Sequence, residues 1–449
     1  VDKIIAWVCL LHHKHQILID NLFWVIIHFS IQKDTLMTNR VARLLANLDY
    51  QKISTWFLAI LGFSISFSPS IVSISLGFMV LLFLLEGKYK QRFSYISDNP
   101  LAYMAFLMVF LHVIGFLWTN DTALAMQTLS RVWKFLLIPF FMMYIRRDNI
   151  AFLMSAFLLG MVVSELVSYS IWIGLIEPFG KATKLIPSPF MSYPYYTAFA
   201  ALCAGLLINY LLFDRPKNRF KVILTIFFLT TILINLSFTG GRGGQVGFFA
   251  LLFVFALIYY KGRWVKGILS FILVGFTLFT LAYQFMPIFK HRVDAGVKEV
   301  VNFKQGVQKG SVGIRLALNM NYFNAFLDAP LIGHGTGSYI KAYEKANEQS
   351  KYKTFITQPH NMYLLMLVQF GLVGGILFLA MFVYLLWYGW HNHDELHAFR
   401  LGFVFFWLTI MLVNWYLYSH HTLYLFLFLS SVLFAIPPKK ILSQKVSPP

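Results

Sequence analysis

The chain has 449 residues, of which 58% are hydrophobic, 18% aromatic and only 12% charged. Soluble proteins carry about 25% charged residues, so a soluble enzyme is excluded and an integral membrane protein is expected. The net charge of +19 would suggest nucleic acid in a soluble domain, but here the cations cluster in short loops between apolar stretches, as topology signals do, and nucleic acid is set aside.

Residues 1–50 read as an N-terminal cytoplasmic or leader segment. The longest apolar piece, 17–31, falls short of the roughly 20 residues a span needs and contains Asp20. It shows no small-residue cleavage pattern, and the stretch before Met37 reads as an interfacial or disordered extension upstream of the true start. Cys9 and Cys203 offer neither a disulfide framework nor a metal-ligand spacing.

Twelve apolar runs follow, at 55–68, 71–85, 101–118, 131–144, 151–174, 195–213, 222–238, 243–260, 267–286, 362–390, 401–418 and 422–436. The expected organisation is nine membrane helices in 51–286, a large outward loop at 287–361, three helices in 362–437 and a cytoplasmic tail at 438–449. Loop charges give the orientation. With the first loop inside, inner segments carry twenty Lys and Arg and short outer loops five, while the ten in the long loop are exempt. Both termini are therefore expected in the cytoplasm, with the long loop outside.

Within that loop Ile314, Leu318, Tyr322 and Phe326 recur at i+4, predicting an amphipathic helix over 311–327 that stops at Asp328-Ala329-Pro330. Gly333-His334-Gly335-Thr336-Gly337 then reads as a turn. Arg315 sits one position off the apolar stripe, where its guanidinium reaches the edge between headgroups and protein.

Three residues carry the candidate chemistry. Arg242 lies in Gly240-Gly241-Arg242-Gly243-Gly244 at the start of a span, where glycine amides and a positive helix end suit a diphosphate. A tight turn with a snorkelling arginine explains the same residues. Arg315 is either a second anion ligand or an ordinary exposed arginine. His360, just ahead of a long apolar helix, can accept a proton at working pH or simply pack at the interface. Glu165 and His112 lie inside spans, where ionisable groups are costly; hydrogen bonding to neighbouring helices accounts for them. The run from His391 to His397 resembles a ligand set but reads as a solvated loop. The outward carboxylates are scattered, with no Asp-x-Asp pair to suit a hard cation, so arginines are expected to neutralise the anion without metal or other cofactor.

His360-Asn361, nine residues, Gly371, two residues and Gly374 together resemble the signature of the bacterial O-antigen ligase family. Asp328-Ala329-Pro330-Leu331-Ile332-Gly333-His334-Gly335-Thr336-Gly337 resembles a glycine-rich segment of the wider ligase and polymerase superfamily. The likeness runs from about residue 50 onward. It implies an all-α polytopic GT-C-like glycosyltransferase of the bacterial inner membrane with about twelve transmembrane helices and short helices in a periplasmic loop. The implied partners are an undecaprenyl-pyrophosphate-linked glycan donor, a lipid A-core acceptor and membrane lipids. On this chain the resemblance makes His360 the base and Arg242 and Arg315 the pyrophosphate ligands. Asn361, Gly241, Gly243, Lys134, Lys181 and Lys184 are supporting candidates, Asn361 either positioning the imidazole or capping the helix. An O-antigen polymerase, a protein O-oligosaccharyltransferase and a lipid-linked glycan transporter remain alternatives.

Overall fold

The computed structural model describes residues 47–305 and 310–436; most of the expected leader and the C-terminal tail lie outside them. No strand occurs among the described residues. The helices are α1 (Tyr50–Ser64), α2 (Pro69–Glu86), α3 (Tyr89–Ser94), α4 (Pro100–Ile114), α5 (Thr122–Val132), α6 (Leu137–Met142), α7 (Ile150–Trp172), α8 (Tyr193–Asn209) and α9 (Arg219–Phe238). There follow α10 (Arg242–Tyr259), α11 (Trp264–Phe285), α12 (Pro287–Lys304), α13 (Gly310–Leu327), α14 (Tyr339–Glu348), α15 (Met362–His391), α16 (His397–Ile410) and α17 (His420–Phe434).

Each of the twelve apolar runs contains a helix, and eight helices among the described residues are long and apolar enough to cross a membrane by length and composition. The other four are shorter or broken: α1 and α17 have 15 residues, α16 has 14, and the run at 131–144 is divided by a 3-10 turn between α5 and α6. Helix starts follow local chemistry. Asp49, Ser68, Asn99, Asp121 and Asn218 each accept a first-turn amide hydrogen with their side chains, filling donors that the helix itself leaves unpaired.

The core runs through α8 and α17. Every residue from Tyr196 to Leu207 and from Thr422 to Phe434 is buried, with α10 and α9 packed on α8 and α6 packed on α17. In α11, by contrast, only Gly267 and Gly275 are buried, as expected of a helix facing lipid. His112 is fully buried and bonds Met108 O and Tyr418 Oη, each at 2.7 Å, which makes it a satisfied structural histidine. Glu165 is buried too, and its Oε1 has no hydrogen-bond partner among the described residues.

Two cations that read as loop charges are internal. Arg92 pairs with Glu86 at 2.8 Å, and Arg400 pairs with Asp394 and donates to Leu433 O at 2.7 Å. In the histidine-rich run, His391 and His397 bond backbone carbonyls of Trp387 and Gly389 at 2.8 Å. No group of three potential metal ligands converges among the described residues.

One break positions the site. The 30-residue α15 is interrupted at Gly371, whose φ of 61° and ψ of −155° are non-helical. A kink frees backbone groups that need partners, and the 330–335 turn supplies them. His334 N and Gly335 N donate to Val368 O and Gln369 O at 2.9 and 2.8 Å, while Leu372 N and Val373 N donate to Pro330 O and Leu331 O at 2.8 and 3.2 Å. A Cβ on Gly371 would lie 2.3 Å from the Leu331 carbonyl. The spacing of the two glycine motifs thus has a mechanical meaning: one supplies a hole in a membrane helix and the other fills it. Thr336 Oγ1 donates to His112 O at 2.6 Å, fixing the same turn to α4.

Candidate active site

His360 immediately precedes α15. Asn361 caps that helix, its Oδ1 accepting Tyr363 N at 3.0 Å and Leu364 N at 3.2 Å. Of the two roles open to Asn361, the structure therefore gives the cap, because an oxygen engaged by two first-turn amides is held against its own helix. The imidazole is positioned by another residue. Asn414, buried in the 411–419 connection, brings Oδ1 to 3.2 Å from His360 Nδ1. That same Oδ1 accepts the Trp415 N–H at 3.0 Å, which identifies it as an acceptor. Nδ1 must then carry the proton of the neutral ring, leaving the lone pair on Nε2. Burial, and secondly the Arg315 charge, hold the His360 pKa below its ordinary 6.5, with the Asn414 bond opposing them.

Arg242 opens α10. The first intrahelical bond runs from Gln245 N to Gly241 O at 3.3 Å, so the amides of Arg242, Gly243 and Gly244 have no intrahelical partner. The surrounding glycines allow close packing: a Cβ on Gly241 would lie 2.1 Å from Thr197 Oγ1, and one on Gly243 2.2 Å from Tyr416 Oη. The guanidinium projects toward α12 and α13, donating to Ser311 Oγ at 2.5 Å and, more weakly, to Arg292 O at 3.5 Å. Arg315 lies one turn beyond Ser311 and is within electrostatic range of both Arg242 and His360.

Two further charges belong to this group. Arg292 stacks over Tyr193 at 5.5 Å, and Glu299 accepts Val312 N at 2.6 Å; both act on Arg242. Two guanidinium groups and one carboxylate therefore act on Arg242, and none of the three arginines forms an ion pair within 4.0 Å among the described residues. Such an excess of fixed positive charge is suited to a diphosphate. Tyr416 completes the wall, fully buried and edge-on to Tyr195 at 5.9 Å.

The lysines expected to support the arginines have other neighbours. Lys134 donates to Ser130 O at 3.3 Å and neighbours Arg131 and His420. Lys181 reaches Ser192 Oγ at 3.5 Å and neighbours His421, while Lys184 is exposed. Beside the arginine group an apolar cleft of about 470 Å³ runs between α13 and α15, lined by Phe303, Leu316, Met320, Phe323, Tyr363 and Leu364. It adjoins Arg315 through Leu316 and His360 through Asn361.

Arg292 and Glu299 are not among the sequence candidates for the site, because 287–310 enters the sequence reading only as part of the outward loop. The line Phe289, Arg292, Gly296, Glu299, Phe303, at alternating spacings of three and four, was the available signal for α12.

Comparison with known proteins gives two findings. Residues 225–379 match the family described as O-Antigen ligase, a stretch that contains Arg242, Arg315 and His360. Over 170 residues the chain is 24% identical to an uncharacterized protein of Haemophilus influenzae, a match covering 36% of this chain and 42% of that protein. The match thus spans less than half of that relative's length.

Proposed function

The chain carries an O-antigen ligase family region across residues 225–379, a family of membrane glycosyltransferase-like ligases and polymerases; from that premise we propose that it is an O-antigen ligase. It transfers a polysaccharide from undecaprenyl pyrophosphate to a sugar hydroxyl of lipid A-core, completing lipopolysaccharide. The reaction takes place at the periplasmic face of the inner membrane, with both termini cytoplasmic and without a metal ion.

In this reading the donor's diphosphate rests on Arg242 and Arg315, with Arg292 beside them, and its hydrocarbon chain lies in the cleft lined by Phe323 and Leu364. The acceptor hydroxyl approaches Nε2 of His360. Its proton passes to Nε2 as its oxygen bonds to the anomeric carbon, and the electron pair of the breaking carbon–oxygen bond leaves on the phosphate. The guanidinium groups stabilise that charge as it grows, when fixed donors contribute most.

What supports the proposal is that the Arg315 charge acts on both Arg242 and His360, one cation near the anion ligand and the base alike. The test is His360→Ala in cells lacking the native gene. Expected is a membrane-inserted protein and lipopolysaccharide without long chains, with glycan accumulating on the undecaprenyl carrier. Unchanged lipopolysaccharide would remove the base assignment, and single repeats attached to core would make the enzyme a polymerase instead.

A further inference from the structure

The turn that fills the break in α15 also reaches the connection that carries Asn414. Gly337 N donates to Gln369 Oε1 at 2.8 Å, which orients that amide and makes its Nε2 the donor facing Tyr418 Oη at 3.2 Å. At the far end of the same chain of bonds, His112 Nδ1 lies 2.7 Å from Met108 O. A carbonyl only accepts, so in the neutral ring Nδ1 carries the proton and Nε2 the lone pair; a charged ring at this depth is costly. The Tyr418 hydroxyl, 2.7 Å from Nε2, therefore accepts from Gln369 and donates to His112. The two ends of the chain set every direction in it, and His112, Gln369 and Tyr418 are all buried.

What these bonds hold is the backbone on either side of Asn414. Tyr418 lies at one end of the 411–419 connection. At the other end, Met362 N donates to Met411 O at 2.9 Å and Tyr363 Oη to Leu408 O at 2.7 Å. Both fastenings are made to α15, at Met362 and at Gln369, which stand about 10 Å apart along a helix rising 1.5 Å per residue. His360 precedes the first of them by two residues. Asn414 sits between the fastenings, and its Oδ1 meets His360 Nδ1 at 3.2 Å. An apolar residue at 112 could pack on Phe370 as the imidazole does, 4.6 Å between ring centres. It would leave the Tyr418 hydroxyl hydrogen without an acceptor in an apolar interior, which costs more than the formed bond contributes.

We propose that His112 is a positioning residue for glycan transfer: by holding the Tyr418 hydroxyl it fixes the 411–419 connection so that Asn414 stays in register with the base, His360. This rests on the ligase reading for the role of His360 and adds to it a residue that touches neither substrate. The glycine-rich turn joins in through Gly337 and Gln369, so both glycine motifs bear on the orientation of the base. Near the chain of bonds, Arg131 of α5 lies over Trp415 at 5.8 Å and Tyr339 of α14 is edge-on to it at 6.5 Å, and the charge acting on His360 is that of Arg315 on α13. The substitutions below leave all three in place, so a change in the titration of His360 reports the Asn414 contact.

The test uses the full chain in nanodiscs and compares wild type with His112→Leu, His112→Gln, Tyr418→Phe, Asn414→Leu and the double variant of His112→Leu with Asn414→Leu. Three quantities are read: transfer kinetics against pH, thermal melting, and the pH dependence with which diethyl pyrocarbonate modifies His360, followed by peptide mass spectrometry. That reagent attacks the neutral imidazole, so its midpoint gives the His360 pKa without any glycan. Expected for His112→Leu and Tyr418→Phe is a kcat lower by about tenfold, the size that loss of one buried hydrogen bond gives, with donor KM constant. The acidic limb and the modification midpoint both move to lower pH, in the direction of Asn414→Leu and by less. His112→Gln, whose amide oxygen can still accept from Tyr418, recovers most of kcat and the wild-type midpoint. In the Asn414→Leu background, His112→Leu moves the midpoint no further. A His112→Leu protein that melts earlier but keeps the wild-type limb and midpoint would overturn the proposal, leaving the histidine a packing residue; a further midpoint shift in the double variant would overturn it as well. If wild type transfers no glycan, the ligase reading fails, and the modification midpoints still decide whether His112 acts on His360 through Asn414.

Discussion

The Asn414 contact gives the sharpest prediction. In Asn414→Leu the side chain keeps its bulk but loses the oxygen 3.2 Å from His360 Nδ1. The proposed transition state places a growing positive charge on the imidazole, and a hydrogen bond to a charged group contributes about 1.5–3 kcal/mol. At 1.36 kcal/mol per factor of ten, kcat falls about ten- to a hundredfold, with donor KM unchanged because the guanidinium groups are untouched. The pH profile supplies a second reading that a merely structural role would not move. The base must be neutral, so kcat/KM falls as pH drops through the His360 pKa. Burial and Arg315 depress that pKa while the Asn414 bond raises it. Removing the bond lowers it further, and the acidic limb moves to lower pH. In Asn414→Asp the carboxylate accepts from Nδ1 more strongly; the limb moves to higher pH and kcat recovers. The assay is transfer to lipid A-core by purified protein across the acidic range, with a thermal melt to register the Trp415 amide left unpaired. An unmoved limb in both variants, or a kcat within twofold of wild type in the leucine variant, would refute the argument.

Arg315→Gln removes a like charge near the imidazole, so the His360 pKa rises and the acidic limb shifts to higher pH, whereas Arg242→Gln leaves the limb in place while raising donor KM; pH–rate profiles of the pair separate the two cations. Gly371→Ala forces a residue with a side chain into φ 61°, ψ −155°, a region essentially reserved for glycine, at about 1–3 kcal/mol of strain before any clash, and sets a Cβ 2.3 Å from the Leu331 carbonyl. A lower melting temperature together with reduced kcat is expected.

Much of the fold was legible because lipid imposes one rule: backbone groups must be satisfied internally, so apolar runs become helices. Each of the twelve runs contains one. The amphipathic period of 311–327 likewise appears as α13. Length was a poorer guide, since the run at 131–144 is broken by the 3-10 turn Trp133–Leu136 rather than continuous. What sequence alone could not supply were tertiary relations without a local signal. Asn414 is 54 residues from the histidine it bonds, and nothing near Val413-Asn414-Trp415 marks it. Lys134, Lys181 and Lys184 were grouped with the arginines by sign of charge and expected side of the membrane, but shared sign and side do not fix lateral position, and the helices carry Lys134 and Lys181 toward His420 and His421.

The turn lodged in the break of α15 also determines what is rigid. Arg315 stands on α13, and α13 leads directly into the turn fastened at mid-α15; a turn and a half before its end α13 is also braced by Tyr322 Oη on Thr357 O at 2.5 Å and Asn321 Nδ2 on Tyr352 O at 2.9 Å, which tie it to the segment before His360. Cation and imidazole therefore stand at two corners of a closed truss whose third corner lies within the bilayer-spanning helix. Their separation is set when the chain folds, ahead of any encounter with a glycan, and a saccharide arriving there meets a ruler that is already cut to length.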